Sequence, residues 1–118
     1  MRSSAEVKQL VGEQLALIAD AHLRDEAARV LIEPMLHDVP WDYGEEGEAF
    51  ACWIIADLRP GHPHVVAYCD RGFGPDDPFG IIDADLSSMG MDAQWFETLE
   101  GVLRSFGFGK KAAGYEGD

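Results

Sequence analysis

Basic residues are scarce. Nine Lys and Arg stand against 22 Asp and Glu, a formal net charge of −13 at pH 7. Such a field repels nucleic-acid phosphate and anionic lipid, so neither nucleic acid nor membrane is expected as a partner. Cysteine is nearly absent: Cys52 and Cys69 are too few for a disulfide framework, and no Cys-x-x-Cys spacing suggests a redox pair. No apolar run approaches the roughly 20 residues that cross a bilayer. The opening MRSSAEVKQLVGEQ shows one basic residue before it turns polar and periodic, unlike a signal peptide. Together these absences lead to the expectation of a cytoplasmic protein with reduced thiols.

Recognisable chemical motifs are missing too. The serines, at positions 3, 4, 87, 88 and 105, form no G-x-S-x-G elbow. Gly72-Phe73-Gly74 lacks the Gly-Lys-Ser/Thr of a phosphate loop and sits beside two aspartates that would repel phosphate. Asp76-Asp77 and Asp83-x-Asp85 fail the EF-hand pattern. His62 and His64 offer two imidazoles where a structural zinc needs four ligands. Neither a metal nor a cofactor is expected, and no catalytic residue is assigned.

An ordinary apolar share of 47 % allows one core, so residues 1–118 read as a single domain, with residues 110–118 as a frayed tail. Ser3-x-x-Glu6 matches a capping box, and Val7, Leu10, Val11, Gln14, Leu17 and Ile18 recur at helical spacing. The pattern predicts a helix over about 4–20 and a second over about 24–32. Prolines 34 and 40 then bound an edge strand over 35–43. Aromatic and β-branched runs predict strands over 50–58, 65–69 and 79–84, linked by Gly- and Pro-rich turns. A turn near Pro60-Gly61 would set Cys52 opposite Cys69, both buried, close and unbridged. Asp92 suits an N-cap, and Trp95, Phe96, Leu99, Val102, Leu103 and Phe106 read as one helical stripe. The fold class is α+β. A two-layer domain is expected, its antiparallel meander of about four strands flanked by N-terminal helices and a C-terminal helix.

The acids fall in groups. Asp42, Glu45, Glu46 and Glu48 surround the first hairpin near Trp41, Tyr43 and Trp53; Asp70, Asp76 and Asp77 surround the glycine-rich loop. Acids that ring aromatic anchors select a basic protein. These seven acids with Trp41 and Tyr43, nine residues, are the candidate partner-binding set. They point to a non-enzymatic binding protein; the alternative is a small hydrolase or isomerase using His and carboxylates of the hairpin loops.

Three segments resemble a family of small, acidic, uncharacterised bacterial proteins: WDYG at 41–44, AYCDRGFGPDDPFG at 67–80 and SMGMDAQWFETLE at 88–100, with Cys52-Trp53 as a further element. The likeness covers about 41–106. In size and acidity the chain is similar to immunity proteins that neutralise polymorphic toxins. That resemblance implies a toxin as the basic partner, and it brings no catalytic residues.

Overall fold

The computed structural model describes residues 3–41, 47–58, 61–71, 76–90 and 92–108. The expected tail, 110–118, lies outside them. Helices α1 (Ser4–Ala16) and α2 (Ala21–Val30) precede strands β1 (Leu31–Pro40), β2 (Ala49–Asp57), β3 (His64–Tyr68) and β4 (Phe79–Asp83). A 3₁₀ turn (Asp92–Gln94), a two-residue strand β5 (Trp95–Phe96) and helix α3 (Leu99–Ser105) complete the order. The sheet is antiparallel with strand order β1-β2-β3-β4-β5, the α+β meander expected, but it has five strands where about four were read.

The helix starts have local causes. Ser3 Oγ accepts from the Glu6 N–H at 3.2 Å, and Glu6 Oε1 accepts from the Ser3 N–H at 2.7 Å, so the capping box forms. Asp20 Oδ1 accepts from the N–H groups of His22 and Leu23 at 2.9 and 3.2 Å. That cap starts α2 three residues earlier than the apolar spacing suggested. Strand β1 follows α2 directly, and Pro34 lies inside it, which an edge strand tolerates.

The C-terminal stripe is where the reading fails. Trp95 and Phe96 are not helical: they pair with Gly80 and Phe79 of β4. Successive strand residues point to opposite faces, so Trp95 and Phe96 enter different cores. Thr98, not Asp92, caps α3, its Oγ1 accepting from the Gly101 N–H at 2.9 Å. Gly80 makes the pairing possible. A Cβ there would stand 2.7 Å from Cε3 of Trp95 and nearer still to Cδ2 and Cε2, so only glycine lets the indole lie on the strand.

Two cores result. On one face, α1, α2 and α3 bury Val7, Val11, Leu23, Leu99, Val102 and Leu103 against Ile55, Val66, Tyr68, Phe79 and Ile81. On the other, Cys52, Ile54, Val65, Ala67, Cys69 and Ile82 lie beneath Met89 and Trp95. A register shift between Ile54 and Ala56 lets β2 serve both. Simple alternation would put Ala56 with Ile54; the bulge turns Ile55 and Ala56 to the helix side.

The second face is closed by coil. Residues 84–90 leave β4 and cross to the far edge, where the Met89 N–H donates to the Pro40 carbonyl at 2.9 Å. Two indoles fasten this strap: Trp95 Nε1 donates to the Met89 carbonyl at 2.8 Å, and Trp41 Nε1 to the Gly90 carbonyl at 3.0 Å. Leu86 adopts a left-handed φ of 59° where the strap turns. Its N–H donates to the Asp83 carbonyl, and Asp85 Oδ1 accepts from the Ser87 N–H, so the turn is fixed on both sides.

Candidate functional site

The β1–β2 and β3–β4 connections share one end of the sheet. At that end the helix-side face opens into a cleft of about 330 Å³, lined by Glu6, Ala51, Trp53, Tyr68, Asp70 and Arg71, with Cys69 at its margin. Register explains the lining. Trp53 pairs with Tyr68 across β2 and β3, and Leu36 and Asp38 of β1 pair with Trp53 and Ala51. Leu36, Trp53 and Tyr68 thus form a row across three strands on one face. Trp53 is half-buried, Tyr68 is buried with its ring 5.3 Å from that of Phe79, and Leu36 is exposed.

Glu6 and Asp70 line this floor, and further acids share its end of the sheet. Glu6 stands on the first turn of α1, Asp38 on β1, Glu48 just before β2 and Asp70 just after β3. Asp76 and Asp77 precede β4, and Pro78, just before that strand, has its carbonyl accepting from the Cys69 N–H at 2.8 Å, at the same end. Arg71 is the base lining the cleft. Of the nine expected partner-binding residues, Asp70 lines the cleft, while Glu48, Asp76 and Asp77 lie beside connections at the same end of the sheet. Asp42, Tyr43, Glu45 and Glu46 lie outside the described residues. Trp41 is half-buried and tied into the fold, its ring 6.1 Å from that of Phe50 and its N–H on the strap. Trp53, which the sequence places near the first acidic group but outside the partner-binding set, supplies the cleft's indole. Its pairing with Tyr68 could have been found from the turn at 60–61, which also sets Cys52 opposite Cys69.

The cysteines flank the Trp53–Tyr68 pair on the strap face, buried and unbridged. Hydrogen bonding with Cys69, then burial, pushes the Cys52 thiol far above its ordinary value. A thiol so held is a poor nucleophile.

The histidines sit elsewhere. His62 and His64 lie at the β2–β3 turn, at the opposite end of the sheet. Their rings meet Phe106 edge-on, with centroids 4.7 and 5.3 Å apart. His64 Nε2 is 3.6 Å from Asp83 Oδ1, while its Nδ1 is buried without a partner among the described residues. Neither ring lines the cleft. Among the described residues no cluster of three or more His, Cys, Asp or Glu could hold a metal ion. No described helix is long and apolar enough to cross a membrane.

No family model, curated protein or solved structure matches this chain. The site's chemistry is therefore the guide. An indole and a phenol ring edged by carboxylates suit a guanidinium or ammonium group. The ring face attracts the cation, and the carboxylates accept its hydrogen bonds.

Proposed function

We propose that this protein is a non-enzymatic binding module that presents an acidic end to a basic protein. In the sharpest form of this reading it is an immunity-type inhibitor, its acids filling the cationic active cleft of a toxin in the cytoplasm. One observation supports it above the rest: the meander returns the connections carrying Glu48, Asp70, Asp76 and Asp77 to one end of the sheet, where Asp70 lines the Trp53–Tyr68 cleft. With a net charge of −13, the field at that end draws cationic surfaces and speeds encounter. The hydrolase reading gains no comparable support, because the loop histidines and the cleft stand at opposite ends of the sheet.

The test is titration calorimetry against the product of the adjacent gene, followed by stopped-flow association across a salt series. Joint substitution of Glu48→Gln, Asp70→Asn, Asp76→Asn and Asp77→Asn should lower the association rate about tenfold or more at low salt, with a smaller effect on dissociation. The loss should shrink at physiological ionic strength, where charge reaches only about 8 Å. An association rate indifferent to salt and to all four changes would sink the reading.

A further inference from the structure

Among the described residues, nothing pairs with the middle of the sheet's long edge. The Trp41 N–H donates to the Glu48 carbonyl at 3.0 Å, which fixes the parity of the β1–β2 ladder. Residues 35, 37 and 39 therefore turn their backbone groups toward β2, and residues 36, 38 and 40 turn theirs outward. The Pro40 carbonyl, on the outward side, meets the Met89 N–H of the strap at 2.9 Å, as this parity requires. Pro40 has no N–H to offer, and Pro34 has none at the other end. The N–H and C=O groups of Leu36 and Asp38 remain, with no partner among the described residues. The side chains there are exposed as well: Met35 is 50 % and Leu36 42 % accessible, on opposite faces of the strand.

Edge strands are ordinarily blunted by proline, by charge or by a covering segment. Here proline and strap protect the ends, and a window of backbone between them is left unblunted. On the helix side two hollows flank it. One is the acidic cleft beside Trp53; the other, of about 320 Å³, lies between α1 and the start of β1 against Val11, Gly12, Leu31 and Pro34. A strand laid along β1 would run about 4.8 Å from it and place every second side chain on that face. A lysine or arginine there has the reach to meet Asp38 and to cross β1 toward Trp53.

We propose that the edge of β1 receives an extended basic segment of the partner as a sixth strand, hydrogen-bonded through Leu36 and Asp38. This rests on the acidic-end reading for the sign of the occupant's charge: Asp38 lies in the window itself, Glu48 precedes the next strand, β2, and the cleft acid Asp70 follows β3. The geometry of the edge is independent of that reading.

The probe is a ten-residue peptide of alternating lysine and valine, set against a serine–valine counterpart. Amide exchange is followed residue by residue by NMR on the intact chain. Saturating lysine–valine peptide should slow exchange at Leu36 and Asp38 at least tenfold and leave Met35, His37 and Val39 unchanged. Leu36→Pro removes one outward N–H and no bond to β2, so it should weaken binding at least tenfold. Should that variant not fold, the exchange pattern of the unaltered chain decides alone. Binding without protection at Leu36 and Asp38, or no binding at millimolar peptide, overturns the proposal. Protection that instead rises with protein concentration, without peptide, overturns it in favour of a second copy. Equal affinity for the serine–valine peptide, with protection retained, would remove the basic occupant and the acidic-end reading while the edge pairing stood.

Discussion

Three helices close one face of the sheet; a length of coil closes the other. The helix side buries its apolar residues by periodicity, and any residue of the right size on the right stripe serves. The strap side has no period. Its residues 84–90 are held by the Pro40 carbonyl, by two indole N–H groups and by a glycine that lets Trp95 lie flat on β4. Both faces exclude water. The first does so through many interchangeable contacts, the second through a few that cannot be exchanged.

That difference gives the largest expected effect. Leu99→Ala on the helix side should cost about 2–5 kcal/mol, the transfer and cavity cost of a buried leucine. Trp95→Ala on the strap side should cost about 3–5 kcal/mol for the ring, and it also strips the Met89 carbonyl of its donor. Trp95→Phe separates the two contributions. It keeps most of the bulk and loses only the N–H, so it should cost about 1–3 kcal/mol. The same urea titrations should show Leu99→Met nearly neutral, because volume is all that site requires. If Trp95→Phe proved as harmless as Leu99→Met, the strap would be held by area alone and the contrast between the faces would dissolve.

The same contrast decides what was legible. Helices α1 and α2, the order of four strands and the placement of both cysteines follow from apolar spacing and turn residues, because these are local and periodic. Strand β5 was not legible. Trp95, Phe96 and Leu99 do fall on one helical stripe, and only the approach of the indole to Gly80 breaks it. That contact joins residues 15 apart in sequence through a close fit with no period. The acidic groups near 48 and near 70 and 76–77 are legible as groups in the sequence, and the meander places the connections that carry them at one end of the sheet, because it returns every second connection there. Trp53 is legible as an aromatic near the first acidic group but not as part of a cleft, because a strand tryptophan reads as core until its pairing with Tyr68 is known. Trp41 was read as an anchor for a partner, yet its indole N–H serves the strap.

A middle-sized effect should appear in thiol chemistry. Cys52 and Cys69 are buried beneath the strap with Met89 packed in the same core. Their reaction with a disulfide reagent such as DTNB must await local opening, so it should be slower than in the unfolded chain by on the order of a hundredfold or more. Met89→Ala removes a fully buried side chain from the strap core and should speed the reaction at least tenfold. Val102→Ala, on the helix side, should speed it far less at matched stability. Equal acceleration by both would mean that the thiols are exposed by global unfolding and that the strap does not open on its own.

The smallest effect concerns two carboxylates, one on each side. Asp20 caps α2, and its carboxyl is held below the ordinary value, first by the Leu23 N–H and then by the His22 N–H and the Arg104 guanidinium 3.9 Å away, with burial opposing them. Asp85 fixes the strap's turn. The Ser87 hydroxyl and then the Ser87 N–H hold its carboxyl low in the same way. A folded-state pKa below the unfolded one stabilises the fold fully above the unfolded value of about 3.9 and loses that contribution as pH falls through the folded value. Asp20→Ala and Asp85→Ala should each lower the urea midpoint slightly at pH 7, and both gaps should narrow below about pH 4. What distinguishes them is where the loss is felt. Asp85→Ala frees Leu86 from one side of its turn and should raise the thiol reaction rate at pH 7. Asp20→Ala loosens the contact between the start of α2 and the end of α3, so at matched stability it should leave that rate unchanged. A thiol rate raised equally by the two would mean that the cap and the strap turn open as one unit, and the two faces would then share a single cooperative core.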